Sequence, residues 1–131
     1  MILLDTHIWL WWVTQDARLP AAARELIVDH EADGLGVSII SCWEVAKKVE
    51  VGKLVLDRGT REWVAGALNY RGISLIGLTP DVVVESTRLP GPFHRDPADQ
   101  MIVATARVLG IPLLTHDARI LAYPGVTTLA G

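Results

Sequence analysis

The sequence predicts an α/β domain, a three-layer α/β/α sandwich whose mostly parallel sheet has about five strands. Two observations carry this prediction. Short apolar runs alternate along the chain with segments whose apolar residues follow helical spacing, which favours a parallel sheet covered by helices on both faces. The runs are also apolar at consecutive positions, as in strands buried on both faces. With 131 residues and no linker or repeat, we expect a single domain, residues 1–131.

The first half of the chain begins with the apolar run 2–4, which predicts a buried strand ending at Asp5. Residues 7–14 are apolar almost all round, and Pro20 opens a second helix that reaches about Asp29. Residues 37–39 predict the second strand, which is followed by a helix that ends near Gly52.

The second half repeats this alternation. We predict a helix over 60–70, a strand over 73–78, and a helix from Pro80 that ends before Pro90. The next helix spans 97–109, with proline at its start and Gly110 just past its end. A fourth strand over 112–115, a short helix after Asp117 and a fifth strand over 126–129 complete the fold.

Bulk composition restricts the class of protein. Half of the residues are hydrophobic and the mean hydropathy is +0.32, yet no uncharged apolar run reaches the roughly 18 residues of a membrane span. The N-terminus has no basic leader or small-residue cleavage site, and one cysteine excludes an internal disulfide. We therefore expect a cytoplasmic protein. The net charge of −3 argues against binding through a generally basic surface.

Four carboxylates fall at one edge of the predicted sheet. Asp5 ends the first strand, Glu44 lies in the first turns of the helix after the second, and Asp117 follows the fourth. Asp99 lies in the first turn of the helix that leads into the fourth strand. In parallel sheets, functional groups gather beyond the carboxyl ends of the strands.

Each acid also has a purely structural interpretation. Asp5 and Asp117 suit helix N-caps or turns, and Glu44 suits an exposed pair with Lys48 one turn along. Together these interpretations weaken, because two close carboxylates repel by about 4 kcal/mol at an effective dielectric constant near 20. A divalent cation relieves that repulsion, and oxygen-only ligands favour Mg²⁺ or Mn²⁺.

Asp96 and Asp99 have different predicted tasks. With Pro97 at the first helical position, Asp96 is the N-cap and accepts from the backbone N–H of Ala98 or Asp99. Asp99 lies on the stripe of Ile102 that faces the sheet, so its carboxylate needs compensation from the helix N-terminus and from a metal.

Four segments together resemble the PIN-domain ribonucleases, and within them the VapC toxins of toxin–antitoxin pairs. They are MILLDTHIWLWW, SIISCWEVAKKVEVGKL, FHRDPADQMIVATA and LLTHDARI, in the family's order and spread over nearly the whole chain. One departure is Gln100, where many relatives carry arginine. It puts a basic contact at that position in doubt but not the acids.

The resemblance implies a Mg²⁺- or Mn²⁺-dependent endoribonuclease with a PIN-like fold, whose metal ligands and catalytic residues are Asp5, Glu44, Asp99 and Asp117. It further implies a homodimer, a cognate antitoxin that blocks the site, and a structured RNA substrate such as transfer or ribosomal RNA. We expect metal-activated water to attack the phosphodiester, leaving a 5′-phosphate and a 3′-hydroxyl.

Residues around the four acids have predicted supporting roles. Thr6 and Thr115 can orient bound water or satisfy backbone groups, and Asp96 can support the metal ligands as well as capping its helix. Without the four acids the formal charge of −3 becomes +1, so that Lys48 and Arg95 can meet RNA phosphates. His94 and His116 are expected at the rim of the site.

Rival functions and a partner surface complete the predictions. A haloacid-dehalogenase-like Mg²⁺-dependent phosphatase would use Asp5 as nucleophile but normally has a second Asp at position 7, which is His here. A phospho-acceptor receiver domain would need a lysine just after a late strand, which this sequence does not have. A catalytically silent PIN-fold binding partner does not need four intact acids.

Five tryptophans exceed what one small core comfortably encloses, so we expect part of the 9–12 cluster, with the Trp43 or Trp63 region, at a dimer or antitoxin contact.

Overall fold

The computed structural model describes residues 1–130 and contains a five-stranded sheet with helices on both faces, as predicted. The strands are β1 (Ile2–Leu4), β2 (Leu35–Ser38), β3 (Ile73–Ile76), β4 (Leu113–Thr115) and β5 (Thr128–Ala130). The helices are α1 (Thr6–Val13), α2 (Ala21–His30), α3 (Ile39–Glu50), α4 (Thr60–Leu68), α5 (Pro80–Ser86), α6 (Pro97–Leu109) and α7 (Ala118–Leu121). In residues 1–130 no helix is long and apolar enough to cross a membrane.

The sheet has the order β3-β2-β1-β4-β5, and each neighbouring pair is parallel. The carboxyl ends of all five strands therefore share one edge. The helix α6 leads into the amino end of β4, so its own N-terminus lies at that carboxyl edge. Segments far apart in sequence thus bring Asp5, Glu44, Asp99 and Asp117 toward one side of the molecule.

Four of the predicted strands, the second to the fifth, have boundaries that were wrong by one or two residues. Ile39 begins α3 rather than ending β2, because the Ser38 side chain accepts from the Ile40 N–H at 3.1 Å and caps the helix. The third strand ends at Ile76, since its partner strand ends opposite it at Ser38. The fifth strand begins at Thr128, where it pairs with Leu113.

Alternate residues of the central strands feed two apolar layers. Ile2, Leu4 and Leu114 pack with α1, α2 and α4 on one face of the sheet, while Leu3 and Leu113 pack with α6 and α7 on the other. This period of two is what a strand buried on both faces requires.

Three tryptophans belong to the first layer, and we call Trp9, Trp12 and Trp63 the tryptophan layer. All three are at most 6% exposed, and the rings of Trp9 and Trp63 meet edge to face with centroids 5.4 Å apart. These three tryptophans are therefore enclosed in the core, and the predicted partner contact cannot depend on them. Trp11 is only partly buried and Trp43 is 56% exposed, so these two remain available for an external contact.

Candidate active site

Asp5 lies at the centre of the carboxyl edge, between β1 and α1. It caps α1: Oδ1 accepts from the Thr6 N–H at 2.8 Å, and Oδ2 accepts from the Thr115 hydroxyl at 2.7 Å. Burial raises the pKa of Asp5 despite these two hydrogen bonds. The predicted capping role is confirmed, and because Asp5 is only 6% exposed its role as a metal ligand stays a prediction for a buried carboxylate.

Glu44 is held from α1 rather than by the expected partner on its own helix. The Thr6 hydroxyl donates to Glu44 Oε1 at 2.5 Å, and the Ser41 hydroxyl, 2.8 Å away, is left to donate to Thr6, since a hydroxyl has one proton. Burial, and then the charges of Asp5 and Asp96, raise the pKa of Glu44 against the Thr6 hydrogen bond. The Glu44–Lys48 ion pair does not form among residues 1–130, since Lys48 Nζ lies 2.7 Å from His7 Nε2 instead.

The first turn of α6 holds its two aspartates at the predicted positions, with Asp96 as the N-cap and Asp99 as the third helical residue. Asp96 caps the helix, and its Oδ1 accepts from the Asp99 N–H at 3.1 Å. Asp99 is 8% exposed, and its pKa is raised to about 7 by burial and then by the charges of Asp5, Asp96, Glu44 and Asp117. The compensation expected from the helix N-terminus is therefore insufficient by itself, because burial and four neighbouring carboxylates outweigh it.

Asp117 is the most exposed of the four acids and the best compensated. It caps α7, where Oδ1 accepts from the backbone N–H groups of Arg119 and Ile120 at 2.8 and 3.3 Å. Burial tends to raise the pKa of Asp117, but the hydrogen bonds from the Arg119 side chain and from these N–H groups hold it below its usual value. The Asp117 N–H donates to Thr115 Oγ1 at 3.0 Å, which links this acid to Asp5.

The guanidinium of Arg119 lies between two of the acids. Its Nη2 is 3.2 Å from Asp117 Oδ2 and 3.6 Å from Asp99 Oδ2, although the side chain is 60% exposed. An internal cation thus already offsets part of the negative charge. Nothing in the sequence analysis singled out Arg119, because the segment LLTHDARI shows its spacing from Asp117 but not its reach to Asp99.

Two histidines border the site as predicted. His94 Nε2 lies 3.1 Å from Asp99 Oδ2 without hydrogen-bond alignment, and Gln100 Nε2 donates to the His94 carbonyl at 3.1 Å. Gln100 therefore holds the loop before α6, which is a structural task for the residue that departs from the family pattern. His116 is exposed and contacts Trp11 edge to face at 6.0 Å.

The two residues predicted to meet RNA differ in their surroundings. Lys48 is partly buried beside His7, whose pKa is lowered by burial and then by the Lys48 charge. Neutral imidazole Nε2 can accept the hydrogen bond from Lys48. Arg95 is exposed in the loop that precedes Asp96, and its contact with RNA stays a prediction.

We call Asp5, Glu44, Asp99 and Asp117 the acidic pocket. Its donor set fits a hard divalent cation, since it offers carboxylate oxygens alone, and burial and then their mutual repulsion raise the pKa of Asp99. In this conformation, however, no three His, Cys, Asp or Glu side chains of residues 1–130 lie close enough together to hold a metal ion. Thr115, Thr6 and Arg119 each hold a different one of these carboxylates, those of Asp5, Glu44 and Asp117 respectively.

Besides the exposed Arg119, one buried polar residue of the site was not predicted from the sequence. Ser41 is fully buried on α3 and completes the chain of hydroxyls that ends on Glu44. A usable signal was its position three residues before Glu44, one helical turn away and on the same face.

Comparison with known proteins identifies the class. The PIN domain family model matches residues 2–126. The chain therefore belongs to the PIN-domain family.

Within that family it resembles VapC-type proteins. Ribonuclease VapC22 of Mycobacterium tuberculosis is 34% identical over 122 residues, which are 93% of this chain and 91% of that protein. Among solved structures, VapBC2 from Rickettsia felis, bound to a DNA fragment from its promoter, superposes with a TM-score of 0.73 at 15% identity, over 99% of this chain and 98% of that one. DNA-bound VapBC from Salmonella typhimurium gives 0.73 at 18% identity, over 98% and 96%. These two likenesses bear on the fold alone.

Proposed function

We propose that this protein is a divalent-metal-dependent endoribonuclease that hydrolyses RNA phosphodiester bonds and acts as the toxin of a toxin–antitoxin pair. The relative VapC22 is named a ribonuclease, and the structural neighbours include toxin–antitoxin complexes. The acidic pocket of this chain is the chemical reason to extend that activity to it.

The observation that carries the proposal is the convergence of four acids from four separate segments at one edge of the sheet. Burial, and then the charges of Asp96 and the three other pocket carboxylates, raise the pKa of Asp99 to about 7. A fold that serves stability alone has no reason to collect like charges around a buried aspartate. A site that binds cations does.

The residues of the chain divide the work of such a site. Asp5, Glu44, Asp99 and Asp117 would hold Mg²⁺ or Mn²⁺, which when bound supplies charge for the phosphate and lowers the pKa of attacking water. Thr115 and Thr6 fix the carboxylates of Asp5 and Glu44 by donating to them. Fixed carboxylates reduce the reorganisation that cation binding requires. Arg119 must release Asp99 and Asp117 when a cation takes its place.

The rival functions gain no support from particular contacts. A phosphatase of the haloacid-dehalogenase kind needs a second carboxylate at position 7, where exposed His7 bonds to Lys48 instead. A silent binding partner would not need the hydrogen bonds by which Thr6 and Thr115 orient the carboxylates of Asp5 and Glu44.

The proposed function also implies partners. We infer a cognate antitoxin, a homodimer, and a structured RNA substrate such as transfer or ribosomal RNA, with the protein acting in the cytoplasm. The exposed Trp43, on the same helix as Glu44, and the partly exposed Trp11 are the tryptophans still available for the predicted dimer or antitoxin contact.

Incubation of purified protein with total RNA tests the activity. We expect cleavage with Mg²⁺ or Mn²⁺, none in EDTA, and recovery when the metal is restored. The products should carry 5′-phosphate and 3′-hydroxyl ends. A 2′,3′-cyclic phosphate would show attack by the ribose hydroxyl and would contradict the proposal.

An inactive variant controls for contaminating nuclease. Asp99→Asn, purified identically, should leave the RNA intact, and sequencing of the cleaved ends after induced expression of the wild type should identify the target. Cleavage by both proteins, or by the wild type in EDTA, would contradict the assigned site.

A further inference from the structure

A cluster of aromatic rings borders the acidic pocket and takes no part in the metal site proposed above. His7 and Trp11 lie one turn apart on α1, with ring centroids 5.7 Å apart. His116, which precedes Asp117, meets the Trp11 ring edge to face at 6.0 Å. We call His7, Trp11 and His116 the aromatic surface.

This surface differs from the tryptophan layer on the same helix. Trp9 and Trp12 are buried in the core, whereas Trp11 is partly exposed and the imidazoles of His7 and His116 are exposed. Trp11 nevertheless packs against the core on one side, so its ring is anchored. An anchored ring loses little freedom when a planar group stacks on it.

The position of the aromatic surface ties it to the site. His7 follows Asp5 by two residues and His116 directly precedes Asp117, so two of the three rings flank pocket acids along the chain. A nucleotide that stacks there can therefore belong to the same strand as a phosphate at the acidic pocket.

Positive charge accompanies the rings. Lys48 Nζ lies 2.7 Å from His7 Nε2 and forms no ion pair among residues 1–130. The Arg18 guanidinium carbon lies 5.4 Å from the Trp11 ring centroid, although Arg18 also pairs with Asp16. Aromatic rings interleaved with cations are the pattern that binds single-stranded nucleic acid, where bases stack and phosphates meet cations.

We propose that the aromatic surface stacks an unpaired nucleotide beside the scissile phosphate, while the Lys48 ammonium contacts a phosphate of the same strand. This inference rests on the proposed ribonuclease function and deepens it. It assigns the protein a single-stranded segment, such as a loop, within its RNA target. Stacking tolerates any base, so the surface selects for strandedness more than for sequence.

The test separates base stacking from phosphate contacts. Binding of a labelled oligoadenylate and of an abasic oligomer of equal length is measured in EDTA, which prevents cleavage. Trp11→Ala should weaken oligoadenylate binding roughly five- to hundredfold and leave abasic binding within about twofold. Trp11→Phe, which retains a ring, should recover most of the affinity.

Two further variants keep the inference testable if Trp11→Ala unfolds. His116→Ala removes an exposed ring and should weaken oligoadenylate alone. Lys48→Ala should weaken both oligomers equally and reduce the steepness of the salt dependence. Arg71→Ala is the matched cationic control, since Arg71 precedes β3 at the opposite edge of the sheet and pairs with Glu31. It should change neither.

The outcomes distinguish this inference from the function beneath it. If the wild type cleaves RNA with Mg²⁺ but Trp11→Ala and His116→Ala bind oligoadenylate normally, the stacking role is wrong and the nuclease assignment stands. Equal losses on both oligomers would likewise contradict stacking. If the wild type neither binds nor cleaves RNA, both proposals fail.

Discussion

The acidic pocket and the tryptophan layer both include residues of α1 or its cap, but they affect the stability of the fold in opposite ways. In the tryptophan layer, rings pack edge to face and the Trp9 indole N–H reaches the Ala67 carbonyl at 3.4 Å. In the acidic pocket, burial and neighbouring carboxylates raise the pKa of Asp5, Glu44 and Asp99. One region stabilises the fold, whereas the other stores repulsion that a cation or a proton relieves. Helix α1 and its cap therefore contribute to both regions.

Asp99→Asn should separate the two regions most strongly. We expect RNA cleavage to fall more than about a hundredfold, because residues that merely orient metal ligands already cost about 10–100-fold when changed. Metal-free stability should rise at neutral pH, by at most about 4 kcal/mol, since a pKa of about 7 replaces the ordinary 3.8.

The sign of the pH dependence follows from that raised pKa. The folded state holds the Asp99 proton more tightly than the unfolded chain does, so this contribution to stability is complete below about pH 3.8 and is lost as pH rises through about 7. Denaturant unfolding in EDTA between pH 5 and 8 should show a decline in the wild type that Asp99→Asn reduces. A variant that is less stable than the wild type at pH 8, or that cleaves normally, would contradict the assignment.

Trp9→Ala tests the other region. Removal of a fully buried indole should lower the free energy of unfolding by about 3–5 kcal/mol. Urea titration measures this loss, and Trp9→Phe is the milder control. Cleavage per folded molecule should stay close to that of the wild type, because the layer supplies no group to the pocket.

Thr115→Val asks how much the pocket depends on oriented carboxylates. The change removes the hydroxyl that donates to Asp5 and accepts from the Asp117 N–H, at little change in volume. We expect cleavage to fall about 10–100-fold, with a higher metal concentration at half-maximal rate. An unchanged metal titration would show that Thr115 serves only the fold.

Arg119→Ala should shift the metal requirement in the opposite direction. Arg119 competes with a cation for Asp99 and Asp117, and exposed ion pairs of this kind contribute up to about 1 kcal/mol. The metal concentration for half-maximal cleavage should therefore fall roughly two- to fivefold. A rise instead would place Arg119 among the groups that bind substrate, and Arg88→Ala, outside the pocket, controls for a general change in charge.

Asp96→Asn has the smallest expected effect. Asparagine keeps the capping acceptor for the Asp99 N–H, so most activity and stability should remain. Asp96→Ala should cost about 1 kcal/mol of stability through the lost cap. If Asp96→Asn is inactive while Asp99→Asn cleaves normally, the tasks of the two aspartates are reversed.

Local sequence signals predicted most of the elements. The span of α6 was predicted to the residue, because Asp96, Pro97 and Gly110 are each suited to their place, and Gly110 adopts φ +65° just past the helix end. Boundaries set by strand pairing were predicted less well. The end of β3 at Ile76 depends on where β2 stops, and a neighbouring strand cannot be read from the segment itself.

The sequence by itself determined the alternation of strands and helices, the caps of α6 and the edge to which four acids belong, because propensity, capping and periodicity are local properties of a chain. Only the tertiary structure decided that Thr6 and Thr115 hold Glu44 and Asp5, and that Arg119 reaches Asp99. It also decided that Trp11 is only partly buried while Trp9 is fully enclosed. These contacts join residues from distant segments. The raised pKa of Asp99 likewise depends on the tertiary structure, since burial and the repulsion of four carboxylates exist only once the chain has folded.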